Sequence, residues 1–415
     1  KAKIMEHQYA GELTERFLRY VAVASESDPS AGVVPSSEGQ RELARLLEGE
    51  LRAMGLEEIE LDEHAVLTAY LPGNVPGAPA IGFVAHLDTV PVSLSPEVHP
   101  QVLRYEGGDV CLNAEKDIWL RLSEHPELAA YAGQDIVFTD GTSVLGADNK
   151  AAIANVMTML HAMTSQSLPH GDIRVAFVPD EEIGLCGSKL MNLEKFRVDF
   201  AYTIDCCAVG ELVCETFNAG SVLFEIQGVT AHPMSAKGVL VNPLLVAADI
   251  IACFDRKQTP EHTDGMEGYW WFTGAEANDS RCVLRMNIRD FDKEGYEARK
   301  KYVLDVVDFM RIRHKRAGIK VTITDVYGNI SDSLGEDRAP IDLMYEAARE
   351  IGVEPRTIAM RGGTDGSVLS AKGLVTPNYF TGGLNFHSNA EFLPIPSLCK
   401  SLDMTFKILE LAAKR

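Results

Sequence analysis

Three stretches of this chain are apolar without alternation: "APAIGFVA" (78–85), "DIRVAFVP" (172–179) and "VDFAYTI" (198–204). A strand with one wet face alternates polar and apolar residues. A short unbroken run that is bounded by polar residues fits a strand buried on both faces, as in the middle of a parallel sheet. Helical patterns lie between and around these runs. "SSEGQRELARLLEGELRAMG" (36–55) reads as a helix, with Ser37 and Gln40 spaced as a capping box. "ADNKAAIANVMTMLHAM" (147–163) repeats apolar side chains at Ile153, Val156, Met157, Leu160 and Met163, which is helical spacing. Strands alternating with helices predict an α/β fold, a mostly parallel sheet with helices on both faces.

The pattern changes after residue 217. "GSVLFEIQGV" reads as strand, "NPLLVAADIIACF" as helix, "GYWWFTGAEA" and "SRCVLRMNIRDF" as strands, "DKEGYEARKKYVLDVVDFMRIRHKRAG" as a long helix and "IKVTITDVY" as a strand. This β-α-β-β-α-β order predicts a ferredoxin-like α+β domain over 217–329. The α/β pattern returns with "APIDLMYEAAREIG", so residues 1–216 and 330–415 form one discontinuous domain into which the smaller is inserted. Residues 91–139 carry little periodicity and read as an elaborated loop.

A length of 415 residues suits two or three domains, and a formal charge of −21 argues against nucleic acid or an anionic membrane as partner. The eight cysteines form no C-x-x-C pair, and Cys206–Cys207 are adjacent, so no disulfide framework is expected. The N-terminal stretch "KAKIMEHQYAGELTERFLRY" has no signal-peptide h-region, and no window approaches the length of a membrane span. A cytoplasmic location is expected.

Polar residues that follow the apolar runs share one placement. His86 and Asp88 follow the first, Asp180, Glu181 and Glu182 the second, and Asp205 the third. In an open parallel sheet, ligands bind beyond the carboxyl ends of the strands. Asp148, at the start of the helix near 147, can reach the same crevice. Each feature alone has an ordinary reading: a chance H-x-D, a solvated pair of glutamates, a helix N-cap at Asp148, a loop acid at Asp205. So many carboxylates on one edge repel one another, and a divalent cation removes that cost. Mixed imidazole and carboxylate donors suit zinc, with manganese or cobalt as alternatives.

"VAHLDTVP", "TDGTSVLGADNKAA", "FVPDEEIG", "AYTIDC", "TAHPMSAKGVLVNP", "MNIRDF", "RGGTDGS" and "TGGLNFHSNAEF" span residues 83 to 392. Together they resemble the co-catalytic zinc exopeptidases of the aminoacylase and carboxypeptidase G type, and within them the tripeptide aminopeptidases. The resemblance implies a catalytic α/β domain with an inserted lid and dimerisation domain, and two zinc ions per subunit. One ion would sit on His86, Asp148 and Asp205, the other on Asp148, Glu182 and His387, with Asp148 bridging. Asp88 would orient the His86 imidazole, and Glu181 would be the general base for a metal-activated water. His232 would stabilise an oxyanion, while Arg289 and Arg361 would grip the carboxylate of a small peptide. Asp180 is left to hold the turn; Lys237 and Asn242 have no role assigned. Relatives usually carry paired aspartates where this chain has Asp148–Asn149, a difference that bears on metal preference. A dipeptidase, a carboxypeptidase or an N-acyl amino acid deacylase would use the same machinery. A non-catalytic binding protein on this scaffold would more plausibly have lost Glu181 or a ligand. A homodimer through the inserted domain is expected, since its sheet leaves an edge strand to protect.

Overall fold

The computed structural model describes residues 7–415; the first six residues of the N-terminal stretch read above lie outside them. The chain separates into two compact units. One comprises residues up to 214 with 334–358 and 364–415, the other residues 215–333 with 359–363. Among the described residues, no helix is long and apolar enough to cross a membrane.

The larger unit is built on an eight-stranded sheet. Its strand order is Glu57–Leu61, Leu67–Leu71, Ile173–Val178, Ile81–His86, Phe200–Cys206, Asn378–Phe380, Glu211–Thr216 and Arg356–Met360. The four central strands run parallel, and antiparallel strands flank them. Every residue of Ile81–His86 and of Ile173–Val178 is buried, as their unbroken apolar sequences require. Helix Ala147–Gln166 is buried almost all round. It packs on the central strands and against helices Ala10–Val21 and Ile395–Ala412, and helix Glu38–Ala53 covers the first two strands. The three long parallel strands end at His86, Val178 and Cys206, which brings the loops carrying the predicted acids to one edge of the sheet.

Two local expectations fail. No capping box forms at Ser37, whose side chain makes no cap hydrogen bond. Gln40 instead points inward, where its amide donates to Asp180 and its carbonyl accepts the Asp180 N–H. The 91–139 stretch is not a loop. It holds strands Gln101–Tyr105, Val110–Asn113, Ile118–Leu120 and Gln134–Phe138 and a short 3-10 helix at Pro126–Tyr131. Strand Gln134–Phe138 pairs with Gln101–Tyr105 on one side and with Phe392–Pro394 on the other. Tyr105, Leu112, Leu120, Leu128, Ile136 and Phe138 enclose Phe392 in a small core of their own.

The smaller unit is a four-stranded antiparallel sheet in the order Tyr269–Ala277, Arg281–Asp290, Asn218–Gln227, Gly318–Tyr327. Helices Pro243–Ala252 and Lys293–Arg313 cover one face, and Phe254 meets Trp270 edge-on at 5.1 Å within their shared core. This is the ferredoxin-like order.

Phe392 is fully buried and rests against Tyr131 and Phe138 at ring distances of 5.7 and 6.0 Å. Phe392→Ala is expected to cost about 3–5 kcal/mol, the range for emptying a buried aromatic site. Chemical denaturation with amide exchange over 101–138 tests this. A loss under about 1 kcal/mol with unchanged exchange would show that this core does not hold the extension.

Candidate metal centre

Asp180, Glu181 and Glu182 leave strand Ile173–Val178 in a tight turn in which Asp180 adopts φ 56°. Few non-glycine residues occupy that region, and here hydrogen bonds hold the residue in place. The buried Asp180 carboxylate accepts from the Ser36 N–H (2.8 Å), the Ser36 hydroxyl (2.6 Å) and the Gln40 amide (2.6 Å). Asp180 therefore ties the turn to the start of helix Glu38–Ala53, which suits its assignment to the turn.

Asp88 is fully buried and holds the same turn from the other side. Its two carboxylate oxygens accept the N–H groups of Glu181 (3.0 Å) and Glu182 (3.1 Å). One of them also lies 3.2 Å from His86 Nδ1, which donates to the Asp88 carbonyl at 2.9 Å. With Nδ1 committed, Nε2 is the atom left for a ligand.

Asp148 is not an N-cap. The cap position of its helix is Gly146, and Asp148 itself is non-helical, with φ −82° and ψ 96°. That backbone sends the carboxylate out of the helix, where Oδ1 lies 2.9 Å from His86 Nε2 and Oδ2 3.0 Å from His387 Nε2. His387 Nε2 is also 2.8 Å from Glu182 Oε1, and His86 Nε2 is 3.7 Å from both Asp205 Oδ1 and Glu181 Oε2. Glu181, Glu182, Asp148, Asp205 and His86 are screened from solvent, while the His387 side chain is 47% exposed.

These distances allow a test of whether metal would fit. Tetrahedral ligand atoms about 2.1 Å from an ion lie about 3.4 Å from one another. The contacts between 2.8 and 3.7 Å bracket that spacing. By proximity alone His86 groups with Asp148 and Glu182, or with Glu181 and Asp205. Hydrogen bonding divides the donors differently, because the two Asp148 oxygens face different imidazoles and Glu182 faces His387. The second division rests on shorter contacts for Asp148, Glu182 and the two imidazoles, while Asp205 and Glu181 stand equally far from His86 Nε2 at 3.7 Å. The donors fit divalent metal, with the Asp148 carboxylate placed between the two imidazoles.

Electrostatics support a cation here. Burial drives the Glu181 and Glu182 carboxyls well above their ordinary range, and neighbouring acids add to it. Burial, then Asp148, pushes Asp205 up to about 7. Burial opposes charge on Asp148 as well, but hydrogen bonds from His387 and His86 outweigh it and hold that carboxyl well below its usual range. Those bonds to Asp148 and Glu182 raise His387 to about 11. Without metal, the imidazoles act as the counter-cations.

Several residues to which sequence reading gave no positioning role hold the expected ligands in place. Asn149 accepts the His86 N–H (3.1 Å) and donates to the Ile204 carbonyl (2.6 Å) and to Asp205 Oδ1 (3.0 Å). An aspartate could not make the two donations, so Asn149 has a structural reason to be an amide. Asn378 accepts the Asp205 N–H at 2.7 Å. Glu391, fully enclosed, accepts N–H groups from the loop before Asp148. Only their place inside or beside the matched stretches signalled them.

The three residues expected to meet substrate lie in the smaller unit. His232 is exposed in a turn, and its Nδ1 accepts the Met234 N–H. Arg289 donates to the carbonyls of Gly220 and Ile288, with Tyr327 beneath its guanidinium at 5.6 Å. Arg361 donates to the carbonyls of Gly265 and Glu267 and to the Thr263 hydroxyl, and covers Phe217 and Tyr269. Tyr269 also pairs with Arg289 across the sheet, so both arginines stand at one end of it. Asn242 caps helix Pro243–Ala252, which explains it without a ligand. Lys237 is exposed and nothing in the structure assigns it a role.

Comparison with known proteins agrees with this architecture. The family described as Peptidase family M20/M25/M40 matches residues 146–411. A peptidase T-like protein of Yersinia pestis is 57% identical over 97% of this chain and 98% of its own length. Peptidase T of Geobacillus thermodenitrificans is 41% identical over 96% and 98%. The crystal structure of aminopeptidase PepT from Bacillus cereus superposes with a TM-score of 0.77 at 21% identity, covering 98% of this chain and 99% of that one. This chain belongs to the M20/M25/M40 peptidase family.

Two outcomes test the site. Glu181→Gln is expected to keep the wild-type metal content and slow turnover by about 10²–10⁴, the scale of a lost general base. Glu182→Gln should lose metal as well, and equal metal loss in both variants would reverse the assignment. The second outcome concerns pH. Asp205 and Glu391 titrate near 7 when folded, so between about pH 4 and 7 the folded metal-free protein holds more protons than the unfolded chain. Its stability therefore falls as pH rises through that window. Metal needs deprotonated ligands, so its affinity rises over the same range. The gain in Tm on adding zinc to chelated protein should grow from about pH 5 to pH 7. A constant or shrinking gain would contradict a carboxylate-rich metal site.

Proposed function

We propose that this metallopeptidase is a tripeptide aminopeptidase, releasing the N-terminal residue of small peptides in the cytoplasm with two zinc ions per subunit. The observation that carries the metal chemistry is Asp148, whose two oxygens face two imidazoles at 2.9 and 3.0 Å. The tripeptide assignment rests on relatives named peptidase T that match nearly the whole chain. His86, Asp148 and Asp205 would hold one ion, and Asp148, Glu182 and His387 the other. Manganese or cobalt would fit the same donors. Bound there, the ions would neutralise the acid cluster, polarise the scissile carbonyl and acidify water.

Glu181 is the base. It is buried, its carboxyl is held above the ordinary range, and its backbone is fixed by Asp88. It takes the proton of the attacking water and hands it to the departing amine. Asp88 keeps His86 in the tautomer that presents Nε2. Arg289 and Arg361 each keep guanidinium donors beyond their backbone bonds, and these are the groups proposed to hold the substrate carboxylate. His232, exposed on its turn, is proposed to stabilise the oxyanion. Leu244, Leu245, Phe309 and Ile312 leave apolar side chains exposed on the two helices of the smaller unit, which supports a homodimer through that domain.

The test compares one tripeptide with its N-acetyl and C-amide forms. An aminopeptidase should lose nearly all activity on the acetylated peptide, while the amide should lose roughly 10–100-fold in kcat/KM, the scale of a charged hydrogen bond. Preference for the acetylated form would make this a deacylase. An unaffected amide would remove the arginine clamp.

A further inference from the structure

Glu391 lies four residues after His387, and its side chain is buried, with the residue 2% exposed. The Glu391 carboxylate gathers three backbone donors from a segment some 245 residues earlier: the N–H of Leu145 (2.7 Å), of Gly146 (3.0 Å) and of Asp148 (3.3 Å). These groups stand at the entrance of helix Ala147–Gln166. The first N–H groups of a helix have no partner within it, and Gly146, at the cap position, has no side chain to supply one. Glu391 supplies the acceptors from outside. In doing so it fixes the nitrogen of the residue whose non-helical ψ turns its carboxylate toward His86 and His387.

The loop that carries Glu391 is itself anchored. Leu384 and Phe392 exchange backbone hydrogen bonds at 2.9 and 3.1 Å, and Asn389 donates to the Gly141 carbonyl at 3.1 Å. Phe392, the next residue, is locked into the core of the 101–138 extension. One anchored loop therefore delivers His387 directly and holds Asp148 through Glu391.

We infer that Glu391 is a positioning residue for the bridging carboxylate: it keeps Asp148 oriented so that each oxygen serves a different metal ion. The inference rests on the two-metal reading above. Its consequence is specific. Because Asp148 is shared, loss of Glu391 should loosen both ions together, whereas loss of His387 should loosen one. Glutamine in place of Glu391 keeps the shape but turns an NH2 group toward N–H donors, so at least one of the three bonds is lost.

Manganese is the probe. Wild type and Glu391→Gln are stripped with chelator, reloaded with Mn2+, and compared by chelator competition and by electron paramagnetic resonance. Two Mn2+ ions bridged by one carboxylate give an exchange-coupled spectrum that separate ions do not. E391Q is expected to weaken both dissociation constants by about 10–100-fold, the range for removing a group that orients a ligand, and to lose the coupled signal at full loading. Thermal unfolding of the metal-free forms provides the control for folding. If E391Q does not fold, Glu391→Asp, which keeps the charge and withdraws the acceptors by one methylene, must show the same loss of coupling. A folded variant with wild-type coupling and affinity, lower only in metal-free Tm, would make Glu391 a helix cap alone and overturn the inference. A wild type that binds no manganese pair would overturn the two-metal reading instead.

Discussion

The organisation of the larger unit turns on one carboxylate serving two imidazoles. Asp148 can face both His86 and His387 only because its backbone leaves the helical region while the helix behind it stays buried in the sheet. Glu181 and Glu182 then come within reach through the turn after Ile173–Val178, and Asp205 through the end of Phe200–Cys206. Packing this much negative charge into a screened site is unfavourable without a cation, because burial and mutual repulsion both oppose ionisation. The fold accepts that cost where a metal can remove it.

Rigidity around the cluster comes from polar groups that bind backbone and not ligand. Asp88 clamps the N–H groups of Glu181 and Glu182, and Asp180 fastens the same turn to Ser36 and Gln40. Asn149 joins the ends of two parallel strands and meets the Asp205 carboxylate with a donor. Each peg links segments far apart in sequence, so the donor atoms are set by the sheet and not by loop conformation. This explains how adjacent glutamates can face different partners. Glu182 is turned toward His387 at 2.8 Å, while Glu181 Oε2 faces His86 at 3.7 Å.

Much of this was legible in the sequence, and the failures have physical reasons. Continuous apolar runs revealed the central strands because burial on both faces leaves no room for polar residues. The β-α-β-β-α-β order of the smaller unit was legible because its elements are long enough to show their period. The 101–138 extension was not, since strands of three to five residues are too short to establish alternation. Ser37 and Gln40 have the spacing of a capping box, but the buried Asp180 carboxylate competed for the glutamine and won. Glu391 gave no local signal, because its partners are backbone groups at the other end of the chain. Arg361 follows the inserted segment in sequence yet is bonded to its backbone, a return of the chain that composition does not announce.

The account depends most on Asp148 bridging two ions, and anomalous diffraction from zinc-loaded crystals addresses that directly. The predicted map has two peaks about 3.5–4 Å apart, each within bonding distance of a different Asp148 oxygen. His86 and Asp205 should complete one site, and Glu182 and His387 the other. A single peak, or two peaks with Asp148 bound to only one of them, would contradict the account.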